Sequence, residues 1–172
     1  DQAEVVVVDL SEHTICSVYK TKSWGYQLGA NLHWGKSDRY LYTNDVLDGK
    51  FAVCVQLDLE TGETSAFKRP VYDIDPSSGK VISPHLGFMN NSQYAYGTPS
   101  LNPEELDFEK LPDGASDTDG LWETSVTTGK TKLLLTLENV VKQLSGVEND
   151  KGSAYYFFHT KYMFNASEEV SV

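Results

Sequence analysis

The sequence predicts an all-β protein built from four-stranded antiparallel sheets, on the basis of two alternating repeats. A polar turn between two strand-like runs recurs three times. Its copies lie at residues 8–14, 57–64 and 124–131. A second strand-turn-strand pattern alternates with it. Those copies lie at residues 32–42, 71–82 and 161–170. Two alternating hairpins make one four-stranded antiparallel unit, the blade of a β-propeller.

The repeats divide the chain into successive parts of one partial propeller domain over 1–172, about three blades in all. These parts are an outer half-blade at 3–22, a blade at 30–68, a blade at 70–137 and the start of the next blade at 154–172. The third part contains a long acidic loop at 90–119. A closed ring needs about four or more blades, so we expect a piece of a longer protein with a seven-bladed ring.

Apolar side chains at helical spacing predict one short helix over 138–144, packed on a blade rim. The two cysteines, Cys16 and Cys54, are too few for a disulfide framework and have no C-x-x-C spacing for zinc. We therefore expect both to be small buried apolar residues.

Composition excludes some classes of partner. Hydrophobic residues make up 40% of the 172 residues, too many for a mainly disordered chain. Asp and Glu total 25 against 14 Lys and Arg, and the net charge of -11 repels nucleic acid and anionic membrane surfaces. We therefore expect neither nucleic acid nor membrane as a partner. A site for an anionic polymer must gather its few cations locally.

The repeats also select candidate site residues on one face of the propeller. His33 lies on an inner strand near the channel mouth, although an interior histidine with satisfied hydrogen bonds is an equal alternative. Arg69 and His159 each precede an inner strand at matching places, so both are expected to converge on the channel. Tyr94 and Tyr96 begin the long loop, where a surface anchor is an alternative to a catalytic role.

Several blocks of the chain resemble the propeller polysaccharide lyases related to ulvan lyases and oligogalacturonate lyases. The main block is WGYQLGANLHWG at 24–35. It is followed by LYTND at 41–45, QYAYG at 93–97, DGLW at 119–122 and FFH at 157–159. These blocks span most of the chain in the order that the family has.

The resemblance implies cleavage of a uronic-acid-containing polysaccharide by β-elimination, in a periplasmic or secreted protein. It implies His33 and Tyr94 as the base and acid, and an acidic polysaccharide or oligosaccharide as the partner. The substrate contacts that it implies are Gln27, Asn31, Arg69 and Tyr96. It also implies His159 as a ligand of a divalent metal ion, Mn, Ca or Zn. None of the residues at 90–93, directly before Tyr94, is basic, so the group that neutralises the uronate carboxylate is unassigned.

A non-catalytic propeller is the competing interpretation. In that interpretation the same face binds a glycan or a protein partner, as in TolB-like periplasmic propellers that assist membrane-protein traffic. The missing basic residues before Tyr94 favour it.

Overall fold

The computed structural model describes residues 2–47, 51–93, 95–98, 113–144, 146 and 152–163. Strands dominate this part of the chain, with two short helices. The first strands are β1 (Ala3–Asp9), β2 (Thr14–Thr21), β3 (His33–Trp34), β4 (Tyr40–Leu47), β5 (Phe51–Asp58) and β6 (Thr64–Phe67). The remaining elements are β7 (Asp73–Asp75), β8 (Lys80–Ser83), α1 (Leu86–Ser92), β9 (Gly120–Ser125), β10 (Thr131–Thr136) and α2 (Leu137–Val141).

The strands form three antiparallel sheets in which sequence neighbours pair. The first is the β1-β2 hairpin, the second has the order β3-β4-β5-β6, and the third has the order β7-β8-β9-β10. In the second sheet the long β4-β5 pair runs in register from Tyr40 opposite Asp58 to Leu47 opposite Phe51. The predicted all-β class with four-stranded antiparallel sheets is confirmed. Within the described residues none of these sheets closes on itself.

Four hairpin turns share one local design. In each, the side-chain oxygen of the first residue accepts a backbone N–H two or three residues later. The residue four positions after the first then has a positive φ. The four pairs are Asp9 with His13, Asp58 with Gly62, Asp75 with Gly79, and Ser125 with Gly129. Gly62 has φ 75° and nothing within 4 Å of the position where a Cβ would stand, so the backbone angle alone favours glycine there.

Three apolar cores join the sheets. The first packs β1 against the second sheet and contains Val5, Leu41, Val55 and Leu57. The second lies between the second and third sheets and contains Tyr42, Cys54, Val71, Ile74 and Val81. The third lies beside α1 and contains Ala52, Tyr72, Leu86 and Met89. Burial of these apolar side chains is the main stabilising contribution to the fold.

Buried polar side chains fix how neighbouring sheets meet. Asn44 on β4 donates from Nδ2 to the carbonyl of Val71 at 2.7 Å, and its Oδ1 accepts the Val71 N–H at 2.7 Å. Both polar groups of that backbone unit are thereby paired inside the apolar core. Asp45 accepts from the Tyr19 hydroxyl at 2.7 Å and from the Lys22 N–H at 2.8 Å, which ties β2 to the second sheet.

The helices only partly follow the sequence-based expectation. The predicted helix is confirmed as α2, which begins at Leu137 because the Thr136 hydroxyl accepts the Asn139 N–H at 3.0 Å. Helix α1 was not predicted. It begins after His85, whose Nδ1 accepts the Phe88 N–H at 3.2 Å. None of the helices in the described ranges is long and apolar enough to cross a membrane.

The expectations for the cysteines and for the last part of the chain are only partly confirmed. Cys54 is buried, but the expectation for Cys16 was wrong, because that side chain lies exposed on β2. The stretch 152–163 has one isolated bridge, between Ala154 and Gly114, and no strand. Residues 164–172, and half of the predicted loop at 90–119, lie outside the described residues, and the first residues of that loop belong to helix α1. The division into blades therefore stays a prediction.

Candidate functional site

His33 opens the short inner strand β3 and is held by the segment before β7. Its Nε2 lies 3.2 Å from the backbone oxygen of Tyr72. Because a carbonyl oxygen can only accept, this bond requires the hydrogen of a neutral His33 ring to be on Nε2. Nδ1 then carries the lone pair, and it lies 4.0 Å from Oδ1 of Asp73. Burial lowers the pKa of His33, although Asp73 opposes the shift. The ring is therefore a neutral base at neutral pH.

Tyr72 connects His33 to a second histidine. Its hydroxyl and Nδ1 of His159 share a hydrogen bond of 2.8 Å across 87 residues of sequence. Burial raises the pKa of Tyr72, so the phenol keeps its proton at neutral pH. The backbone of Tyr72 therefore holds one imidazole and its side chain holds the other.

Asp73, which faces His33, also holds the ammonium group of Lys161 nearby. Its Oδ2 accepts the Tyr162 N–H at 2.7 Å, and its Oδ1 lies 3.5 Å from Nζ of Lys161. The Lys161 ammonium also lies 5.5 Å from the centre of the Tyr72 ring. With a side chain 57% exposed, Lys161 can reach a ligand in solvent.

Aromatic rings surround His159 on its other sides. The Tyr96 ring meets the His159 ring edge to face, with centroids 5.6 Å apart, and the Phe158 ring lies 4.0 Å away. We call these residues together the Tyr72 cluster. Its members are His33, Tyr72, Asp73, Tyr96, His159 and Lys161.

Backbone strain is concentrated around the Tyr72 cluster. Among the described residues, four that are not glycine have a positive φ, and three of them, Asn31, Ala95 and His159, lie in or beside the cluster. Such angles cost roughly 1–3 kcal/mol each and persist where the surrounding structure enforces them. They are typical of functional sites.

Two further predicted contacts lie beside the cluster. Nδ2 of Asn31 lies 3.4 Å from the Val71 oxygen. The exposed Gln27 donates its N–H to the Ala95 oxygen at 3.2 Å. A Cβ on Gly25 would stand 2.8 Å from that same Ala95 oxygen, so only glycine allows the 25–29 turn to approach residues 95–98 so closely.

Arg69 lies elsewhere. Its guanidinium carbon stands 3.9 Å from the centre of the Trp122 ring, and the residue lines a cavity of about 760 Å³. No residue of the cavity wall belongs to the Tyr72 cluster. The expected convergence of Arg69 and His159 is therefore absent from the contacts of the described residues, because the Arg69 side chain stacks on β9 while His159 turns to Tyr72.

The structure thus places the predicted residues in two groups. His33, Tyr96 and His159 meet in the Tyr72 cluster, with Asn31 and Gln27 beside it, whereas Arg69 lines the cavity. Tyr94 lies outside the described residues. The metal expected at His159 stays a prediction: within the described ranges no three His, Cys, Asp or Glu side chains lie together in a way that could hold a metal ion.

The sequence analysis missed three members of the cluster: Tyr72, Asp73 and Lys161. A signal for Asp73 was present, since matching Trp34 with Ile74 between the repeats sets Asp73 level with His33. No comparable pattern marked Lys161, which reaches the cluster from a stretch without regular structure.

Comparison with known protein families, with curated proteins and with solved structures finds no match for this chain.

Proposed function

We propose that this chain is part of a β-propeller that cleaves a uronate-containing polysaccharide by β-elimination at the Tyr72 cluster. The main support is His33, a neutral imidazole whose lone pair is kept on Nδ1 by the Tyr72 carbonyl and faces Asp73. The alternating four-stranded meanders of the second and third sheets fit successive blades. A periplasmic or secreted location belongs to the same proposal.

His33 is the proposed base. Nδ1 takes the C5 proton of the uronate, the electron pair of that C–H bond forms the C4–C5 double bond, and the C4–O bond breaks. The imidazolium that forms is stabilised by Asp73, whose Oδ1 is 4.0 Å from Nδ1. The Tyr72 carbonyl thus orients the ring through Nε2, and Nδ1 is left without a hydrogen to accept the proton.

Lys161 is the proposed group that neutralises the uronate carboxylate. A carboxylate beside the reacting carbon resists the negative charge that builds as the proton leaves, so a cation must lie near it. The side chain of Lys161 is 57% exposed, and its ammonium lies 3.5 Å from Oδ1 of Asp73, the carboxylate that also faces His33. Lys161 thus fills the role that the sequence left unassigned.

The remaining roles follow the resemblance. Tyr94 is the proposed acid that protonates the departing glycosidic oxygen, and Gln27, Asn31 and Tyr96 are the proposed substrate contacts. His159 positions Tyr72 through their shared hydrogen bond. No step of this mechanism passes through a metal ion.

The test uses the longest natural form of the protein that contains this chain, incubated with ulvan and with polygalacturonate. The absorbance of the unsaturated uronate product reports the rate. We expect His33→Gln to lower the rate by at least about 100-fold, the low end for a general base. Lys161→Met should lower it by a similar factor, because the carboxylate loses its counter-charge.

Matched controls are available on exposed turns. His13→Gln removes an exposed imidazole, and Lys36→Met removes an exposed ammonium on the β3-β4 turn. Both should retain the wild-type rate. If His33→Gln and Lys161→Met also retain it, the assignment of the Tyr72 cluster fails.

Glycan binding without cleavage is the second candidate, and exposed aromatic side chains favour it. Trp34, next to His33, is 50% exposed, and Tyr26 is 71% exposed. Flat exposed rings are suited to stacking on sugars. If the protein retains these polymers on an affinity gel but releases no unsaturated product, the binding function replaces the lyase.

A further inference from the structure

The cavity beside Arg69 has features of a second ligand site. Its volume of about 760 Å³ falls within the roughly 300–1,000 Å³ of pockets that take small molecules. Most of its wall is apolar. These wall residues are Ala52, Val53, Pro70, Pro84, Leu86 and Phe88. A wall of this kind favours a ligand with an apolar body.

Arg69 supplies the polar recognition in this cavity. The residue is partly buried, and its guanidinium packs against the Trp122 ring at 3.9 Å. Within the described part of the chain, the Arg69 guanidinium makes no ion pair or hydrogen bond. Asp119 is the carboxylate that acts electrostatically on this guanidinium, and a bound anion would give its N–H donors a second negatively charged partner. The planar fork of arginine matches both oxygens of a carboxylate.

The charges of the wall set the charge of the ligand. Lys68 and Arg69 are cations, and Asp119 is the counter-charge, whose Oδ1 already accepts the Trp122 indole N–H at 2.9 Å. Burial lowers the pKa of His85, so this imidazole adds no charge at neutral pH. One net positive charge remains, in a protein whose net charge is -11. A ligand with one negative charge neutralises the wall, whereas a dianion leaves one negative charge in excess.

We propose that the Arg69 cavity binds a small organic monocarboxylate with an apolar ring or chain, its carboxylate on Arg69 and its body against Pro84 and Phe88. This site is separate from the proposed lyase site, because none of its wall residues belongs to the Tyr72 cluster. The two proposals can therefore fail independently.

The experiment measures binding of benzoate by titration calorimetry, with benzamide as the neutral analogue of the same shape and phenyl phosphate as the dianion. We expect benzoate to bind at least about tenfold more tightly than either. Arg69→Met keeps an apolar side chain on Trp122 and should weaken benzoate binding at least about tenfold. Lys36→Met, the same loss of charge on a distant turn, should change it less than about twofold.

Asp119→Asn gives a test that does not depend on the stability of Arg69→Met. The amide oxygen can still accept the Trp122 indole N–H, but the competing negative charge is gone. We expect tighter benzoate binding by this variant, and unchanged binding by His33→Gln. Absence of benzoate binding up to about 10 mM, equal binding of benzamide, or weaker binding by Asp119→Asn would overturn the proposal.

Discussion

The hydroxyl of Tyr72 and Nδ1 of His159 share a hydrogen bond of 2.8 Å across 87 residues of sequence. This bond joins the segment before β7 to residues 152–163, which are also held by the bridge between Ala154 and Gly114 and by the Tyr162 N–H on Asp73. The bond fixes the side chain of His159, against which the rings of Tyr96 and Phe158 pack.

Replacing Tyr72 with Phe removes the hydroxyl and leaves the ring. We expect the free energy of unfolding to fall by about 1 kcal/mol, the usual contribution of one hydrogen bond, and the ¹⁵N resonance of His159 Nδ1 to shift. Tyr40→Phe is the matched control, because the hydroxyl of Tyr40 bonds no other described residue. Equal melting temperatures for Tyr72→Phe and wild type would show that the bond contributes no stability.

Replacing Asn44 with Ala leaves the N–H of Val71 unpaired in the core between two sheets, while the Val71 carbonyl keeps the 3.4 Å contact with Nδ2 of Asn31. We expect the free energy of unfolding to fall by about 1–3 kcal/mol, the penalty for one unsatisfied buried group. Urea unfolding followed by circular dichroism measures it. Asn139→Ala, on the exposed side of α2, should stay within about 0.5 kcal/mol of wild type. If Asn44→Ala also stays within about 0.5 kcal/mol of wild type, Asn44 does not stabilise the contact between the two sheets.

Acid should destabilise the protein through its buried histidines. Burial lowers the pKa of His33 and His85 in the folded state. As the pH falls, the histidines of the unfolded chain are protonated before those of the folded protein. The stability that these neutral histidines contribute is therefore fully present above the unfolded pKa of about 6.5 and is lost as the pH falls below it.

His33→Gln should reduce this loss, because its neutral amide can still donate to the Tyr72 carbonyl. We expect the melting temperature of His33→Gln to fall less than that of wild type between about pH 7.5 and pH 5.5. His13→Gln, on an exposed turn, is the control. Parallel curves for wild type and His33→Gln would contradict the prediction.

His13 holds φ 53° at the turn position where Gly62, Gly79 and Gly129 stand in the other hairpins. We expect His13→Gly to stabilise the protein by about 0.5–1 kcal/mol, which is the relief of left-handed strain less the entropy cost of glycine. Differential scanning calorimetry should show a melting temperature higher by roughly 1–4 °C. The reverse change, Gly62→His, should lower it.

The β1-β2 hairpin exposes a paired apolar surface. Val8 and Ile15 face each other in register and are 51% and 71% exposed. Exposed apolar strands favour association, so we expect this chain to form oligomers in sizing chromatography with light scattering. Replacing both residues with Thr should shift it toward monomer. Replacing Leu134 and Leu144, which are also exposed, should leave the distribution unchanged.

Local patterns carried enough information to predict the sheets. A side-chain acceptor such as Asp58, followed four residues later by Gly62, closes a turn through bonds within five residues, whatever the rest of the chain does. The pleat likewise turns successive residues of a strand to opposite faces, so Leu41 and Tyr42 on β4 enter different cores. The all-β class, the antiparallel meanders and helix α2 were therefore predictable. Helix α1 was not, because its start depends on the imidazole of His85 as a cap rather than on a common capping residue.

The candidate site was only partly predictable from the sequence. The structure places His33, Tyr96 and His159 in one neighbourhood, but their link, Tyr72, and the cation Lys161 were not among the predicted site residues. Arg69 looked equivalent to His159 in the repeat, yet the two side chains take different directions. The Arg69 guanidinium packs on the Trp122 ring of β9, and Nδ1 of His159 shares a hydrogen bond with the Tyr72 hydroxyl. The sequence by itself determined the hairpins, because their hydrogen bonds are local. Only the tertiary structure decided which polar side chains meet, because that depends on packing between sheets, which the repeat pattern does not encode.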